Sequence, residues 1–106
     1  MTAEAKIPAL VLGGTGYVAG ELLRLIAGHP RLGLLAVMSE GSPGEPVAGA
    51  FPHLACAYPE TRFLTLAQVA RLLAETPASA VFSAAPHGVS AGLIAALLGD
   101  TARAAA

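Results

Sequence analysis

A glycine-rich segment directly after a short apolar run is the feature that most restricts the fold of this chain. Ile7–Leu12 is apolar along its whole length, which is typical of a strand buried on both faces of a parallel sheet. Glycines follow at positions 13, 14, 16 and 20. Apolar side chains then recur at helical spacing, at Val18, Leu22, Leu25 and Ile26. The sequence therefore predicts a strand, a tight turn and an amphipathic helix.

Such a turn is suited to binding a phosphate group. Glycines at its start let the backbone approach the phosphate, and the N–H groups at the start of the helix attract the negative charge. Gly20 is expected to let the helix pack closely on the sheet. The spacing departs from the GxGxxG pattern, so a glycine-rich turn without a ligand remains the alternative interpretation.

Strand and helix patterns continue to alternate along the chain. The first helix ends at Gly28-His29-Pro30, because glycine suits a helix end and proline cannot continue a helix. The later predicted elements are a strand Leu32–Met38, a short strand at 62–64, a helix from a Thr65–Gln68 capping box to about Glu75, a strand at 80–84 and a helix at 89–98. The alternation predicts an α/β fold with a Rossmann-like, doubly wound parallel sheet.

The predicted topology places a ligand site at one edge of the sheet. With the strand order 3-2-1-4, the strands that end at Leu12 and Ala84 are neighbours. The glycine turn and the loop Ala85-Pro-His-Gly88 then face each other across the crevice in which such sheets bind ligands. His87 in this loop either positions a ligand or is bonded to the loop backbone.

Composition and charge exclude several classes of function. Of the 106 residues 55% are hydrophobic, which indicates a packed core, and the net charge of −1 offers no basic surface to nucleic acid. No apolar run approaches the roughly 20 residues of a membrane span, and the N-terminus lacks the pattern of a signal peptide. Cys56 is the single cysteine, and no His, Cys, Asp and Glu residues have the spacing of metal ligands. We expect a cytoplasmic domain without a metal site.

Four motifs, taken together, point to a known family. They are residues 12–25 (LGGTGYVAGELLRL), His29-Pro30, Phe51-Pro-His-Leu54 and Ala85-Pro-His-Gly-Val-Ser90. In this order they resemble the N-acetyl-gamma-glutamyl-phosphate reductases of the semialdehyde dehydrogenase superfamily, over nearly the whole chain. The combination is far more specific than any one of the four motifs.

The resemblance implies an activity and a cofactor site. The activity is the NADPH-dependent reduction of N-acetyl-gamma-glutamyl phosphate to N-acetylglutamate semialdehyde in arginine biosynthesis, through a thioester on a cysteine. The residues that match the family's NADP(H) site are Gly13, Thr15, Gly16, Tyr17 and Val18 at the pyrophosphate, Ser39 and Ser42 near the adenosine ribose, and Pro86, His87 and Gly88 where the chain passes the cofactor.

The chain also departs from this family. Members are much longer, and the segment with their nucleophilic cysteine matches nothing here, so we expect that cysteine beyond Ala106. Residues 1–106 are then the N-terminal, NAD(P)-binding part of a two-domain enzyme, inactive alone and without a catalytic residue. Cys56 is expected to be a small buried residue and not a nucleophile activated by His53. The uncovered strand at 80–84 predicts self-association or marginal stability, and we expect a homo-oligomer.

Glu40 leaves the choice of cofactor open. An acidic residue about twenty positions beyond the glycine turn usually binds the ribose 2′-hydroxyl of NAD. The resemblance favours NADP, with Ser39 and Ser42 as donors to the 2′-phosphate, Glu40 in solvent and no arginine nearby in the sequence. Two alternatives to the main prediction are a reductase of aspartyl or aminoadipyl phosphate and a non-catalytic nucleotide-binding module.

Overall fold

In the part of the chain that the structure describes, three strands form a parallel sheet with helices on both faces. The computed structural model describes residues 6–13, 16–76, 79–84 and 92. Its elements are β1 (Ile7–Leu12), α1 (Tyr17–Gly28), β2 (Leu32–Met38), α2 (Val47–Ala50), a 3₁₀ turn (Pro52–Leu54), α3 (Leu66–Ala74) and β3 (Ala80–Ser83). Among these residues the strand order is β2-β1-β3. The predicted α/β fold and the predicted neighbourhood of β1 and β3 are confirmed.

Strand β1 is central and is buried on both faces. Ala9 and Val11 pack with α1, whereas Leu10 and Leu12 pack with α3 on the opposite face. All four side chains are fully buried. This is why β1 is apolar at every position and does not alternate, as predicted for the inner strand of a parallel sheet.

The expected short strand at 62–64 is present only as isolated bridges. Leu64 forms one parallel bridge with Met38, and Arg62 forms one antiparallel bridge with Pro46. The segment lies beside β2, where a third strand was predicted, but its pairing changes direction within three residues. The Phe63 N–H donates to the Glu45 carbonyl at 2.9 Å, so the chain that follows β2 takes the outer side of this segment. The prediction is right about position and wrong about a regular strand.

Helix α3 begins as its sequence predicts. The Thr65 hydroxyl accepts the Gln68 N–H, and the Gln68 side chain accepts the Thr65 N–H at 2.8 Å. Together these bonds form the capping box. The predicted helix at 89–98 lies outside the described residues apart from Gly92.

The buried face of α1 differs from the prediction. Ala19, Leu23 and Ile26 are buried, whereas Val18 and Leu25 are 55% and 56% exposed. Apolar residues cover more than one face of this helix, so spacing alone does not determine which face is buried. The small Ala19 lies one residue from Val18, and its size permits the closer approach to the sheet.

Gly20 lacks a side chain to make room for the aromatic ring of Phe51. The sequence instead predicts that it makes room for the sheet. A Cβ atom at this position would lie 2.8 Å from Cε1 of Phe51, a separation shorter than any normal contact. Phe51 follows α2 and belongs to the buried cluster of α1. Gly20 therefore fixes the long loop after β2 against α1.

We predict that Gly20→Ala lowers the free energy of unfolding by about 1–3 kcal/mol, because the added methyl overpacks against Phe51. Chemical denaturation measures this change. Gly28→Ala at the end of α1 is the matched control, since its Cβ meets no described atom. The control is expected to stay unchanged or to gain less than about 1 kcal/mol. Equal effects of the two substitutions would contradict the close contact.

Candidate functional site

The carboxyl ends of the three strands meet at one edge of the sheet. The Gly13 N–H, directly after β1, donates to the carbonyl of Met38 at the end of β2 at 3.0 Å. The Ala84 N–H, directly after β3, donates to the Leu12 carbonyl at 2.8 Å. Main-chain bonds thus hold the start of three loops together. This is the edge at which doubly wound sheets bind their ligands.

The two described residues of the glycine turn, Gly13 and Gly16, have backbone conformations that suit a phosphate-binding turn. Gly13 has a φ of +79°, a conformation that side chains rarely adopt. Gly16 precedes α1 as its N-cap, is exposed, and would carry a Cβ that meets no described atom within 4 Å. The first turn of any helix has N–H groups without an intrahelical acceptor, and here Tyr17 and Val18 supply them. As far as the described residues extend, this helix end is open and can therefore accept an anion.

The described side chains at the start of α1 are exposed. Tyr17 is 82% exposed, and Val18 is exposed beside it. Both belong to the predicted pyrophosphate group of residues. Thr15, in the same predicted group, lies outside the described residues, as do Pro86, His87 and Gly88. The structure thus brings only part of the predicted site together, at the ends of β1 and β2.

The segment after β2 carries the two predicted serines. Ser39 is 5% exposed, and its N–H donates to the Leu64 carbonyl at 3.0 Å. Ser42 is half-buried, and its carbonyl accepts the Glu45 N–H at 3.2 Å in a tight turn. Since Gly13 bonds to the last residue of β2, Ser39 begins a loop directly beside the glycine turn.

Two charged side chains near this loop form contacts that sequence spacing does not reveal. The Glu40 carboxylate is exposed but accepts the Leu66 N–H at 2.8 Å. Arg62 Nη1 donates to the Gly44 carbonyl at 2.8 Å, so an arginine does lie beside the loop after β2. No arginine is close to this loop in the sequence, but Arg62 is close to it in space. The contacts span 26 and 18 residues, and no local motif indicates them.

The Phe51-Pro-His-Leu54 motif has a packing role. Phe51, Leu54 and Tyr58 are buried against α1, and the Tyr58 hydroxyl donates to the Leu23 carbonyl at 2.6 Å. Burial raises the pKa of Tyr58 above its ordinary value of 10.0. His53 is exposed, with its ring edge-on to that of Phe51 at a centroid separation of 6.2 Å.

Cys56 differs from its expected environment. It is exposed and not buried, so the prediction of a small buried residue is wrong. The 3₁₀ turn at Pro52–Leu54 and the turn that follows it place residues 55–57 on the outside of the loop. His53 is also exposed, and within the described chain no hydrogen bond joins it to Cys56.

The described part of the chain has neither a candidate metal site nor a helix that could span a membrane. Within residues 6–13, 16–76, 79–84 and 92, no three His, Cys, Asp or Glu residues form a group that could hold a metal ion. None of the helices described is long and apolar enough to cross a membrane.

The chain is similar to a known protein family and to several known proteins. Residues 8–103 match the family described as "Semialdehyde dehydrogenase, NAD binding domain". Three proteins named N-acetyl-gamma-glutamyl-phosphate reductase are similar to the chain. They come from Nitrosococcus oceani (42% identical, 92% of this chain), Frankia casuarinae (41%, 93%) and Methanosphaera stadtmanae (35%, 93%). The chain spans 27% of the length of each of these relatives.

We predict that Gly13→Ala lowers the free energy of unfolding by about 1–2 kcal/mol, because alanine must adopt the positive φ of this position. The matched substitution Gly16→Ala retains a negative φ of −87° and meets no described atom. It should cost only about 0.5 kcal/mol, as alanine is a poorer N-cap than glycine. Denaturation curves of the two variants compare these values, and equal losses would contradict the strained turn.

We predict that Tyr58→Phe costs about 0.5–1.5 kcal/mol at neutral pH, through loss of the hydrogen bond to Leu23. The difference between wild type and variant should shrink as the pH rises above 10. Because the pKa of Tyr58 is higher in the folded state, its neutral phenol stabilises the fold fully at pH values below 10.0, the pKa in the unfolded chain. This stabilisation is lost at higher pH. Unfolding at pH 7 to 11 tests this, with the exposed Tyr17→Phe as an unaffected control. A pH-independent difference would contradict it.

Proposed function

The chain belongs to the semialdehyde dehydrogenase NAD-binding domain family, and on this premise we propose that it is the NADP(H)-binding part of an N-acetyl-gamma-glutamyl-phosphate reductase. One observation carries the proposal. The turn of Gly13, with its positive φ, leads into the open N-terminal end of α1 at the edge where the three strands end. The names of the similar proteins favour this substrate over aspartyl or aminoadipyl phosphate.

The residues of the turn suit a dinucleotide. Gly13 gives the turn its positive φ and Gly16 leaves space for the pyrophosphate, and the N–H groups of Tyr17 and Val18 would bind it together with Thr15. Ser39 and Ser42 would donate to the 2′-phosphate of the ribose. Pro86, His87 and Gly88 complete the proposed set of contacts.

NADPH, when bound, supplies the hydride that reduces an acyl group to an aldehyde. The role of this chain is to bind and orient that cofactor at the sheet edge. We place no catalytic residue in the chain, since Cys56 is exposed in a loop without a basic partner among the described residues. The proposed substrate is an acyl phosphate, in keeping with the names of the similar reductases. Cytoplasmic location and self-association remain part of the proposal.

We predict that NADPH binds to the 106-residue chain and that the amide NMR signals of Gly13, Gly16–Val18 and Ser39 shift on titration. Gly16→Ala should weaken binding about tenfold, because its Cβ would occupy the space proposed for the pyrophosphate, where the described residues place no atom. The expected preference is for NADPH over NADH.

Gly28→Ala, at the far end of α1, is the control for this titration, and its affinity should equal that of the wild type. A folded wild-type chain that binds neither dinucleotide would overturn the proposal. So would equal binding by wild type and Gly16→Ala, because the glycine turn would then not be the site.

A further inference from the structure

Glu40 occupies a position that bears directly on cofactor choice. It follows Met38 by two residues, and the Met38 carbonyl accepts the N–H of Gly13 in the glycine turn at 3.0 Å. In doubly wound sheets the adenosine ribose lies over the end of this second strand. A free carboxylate there binds the ribose 2′-hydroxyl of NAD and repels the 2′-phosphate of NADP. The carboxylate and the proposed preference for NADPH are therefore in conflict.

In the structure the Glu40 carboxylate is not free, because it is bonded to α3. Oε2 of Glu40 accepts the N–H of Leu66, the first residue of α3, at 2.8 Å. Thr65 and Gln68 already satisfy the N-cap and third positions of the helix, so Glu40 takes a different N–H group. A carboxylate at this end of a helix is stabilised by the helix dipole and by a charge-assisted hydrogen bond.

The main chain holds Glu40 in register with this helix end. The N–H of Ser39 donates to the carbonyl of Leu64 at 3.0 Å, two residues before Leu66. Ser39 is almost fully buried, so the corner at which Glu40 begins is anchored. The side chain is therefore aligned with α3 by a backbone bond next to it.

We infer that the bond from Glu40 to α3 determines the preference for the 2′-phosphate. Helix α3 holds the Glu40 carboxylate, and the dipole of the helix offsets part of its negative charge. The carboxylate then neither accepts a hydrogen bond from the ribose 2′-hydroxyl nor repels the 2′-phosphate. Arg62, bonded to the Gly44 carbonyl on the same loop, adds a positive charge to this region. Glu40 is thus a positioning residue that acts on cofactor choice through its bond to Leu66. The inference rests on the proposed function and adds a specificity residue to it.

Leu66→Pro tests the inference without changing Glu40. Proline removes the N–H that Glu40 accepts, and the first position of a helix is the one that tolerates it best. The preceding Thr65 has φ −78° and ψ 165°, a conformation compatible with a following proline. The released carboxylate should shift the ratio of NADPH to NADH dissociation constants about tenfold towards NADH, measured by calorimetric titration of the full 106-residue chain.

Three further variants separate charge, reach and packing. Glu40→Asp keeps the charge but is one methylene too short for Leu66, so it should shift the ratio in the same direction and decides the test if Leu66→Pro does not fold. Leu66→Ala keeps the N–H and should leave the ratio unchanged. Adding Glu40→Gln to Leu66→Pro removes the charge and should restore the preference for NADPH.

The outcomes distinguish this inference from the proposed function. If wild type prefers NADPH and the ratio is the same in Leu66→Pro and Glu40→Asp, the inference is overturned and the proposed function stands. If Leu66→Ala shifts the ratio as much as Leu66→Pro, packing and not the bond is responsible, and the inference is again overturned. If wild type binds neither dinucleotide, the proposed function fails, and the inference fails with it.

Discussion

The burial of β1 on both faces is the constraint on which the other features depend. Ala9 and Val11 face one helical layer and Leu10 and Leu12 the other, so the strand is fixed in the middle of the molecule. Its neighbours β2 and β3 then pair with it in parallel on either side. Because all three strands run the same way, their following loops meet at one edge. The site is thus a consequence of where β1 is buried.

The local elements were predictable because their signals lie within a few residues. The apolar run of β1, the glycines of the turn, the end of α1 near His29 and the capping box of α3 each appear where the sequence indicates them. Their free energy comes from backbone conformation, capping and burial patterns that a short window contains.

The contacts that shape the site were not predictable in this way. Gly20 fits the ring of Phe51, Tyr58 bonds to Leu23, and Glu40 bonds to Leu66, and the partners are 31, 35 and 26 positions apart in the sequence. Each depends on how the loop after β2 folds back, and no periodicity encodes that path. The motif at Phe51 is an example. Its buried side chains anchor the loop to α1, and the contacts of the described residues give it no role in chemistry.

The bond between the Gly13 N–H and the Met38 carbonyl joins the two corners of the site by main chain alone. No side chain takes part, so neutral drift at either corner leaves the spacing between them intact. The side chains at the two corners can therefore change without altering the distance between the corners. Selection can then act on the side chains at each corner without changing how the two corners are spaced.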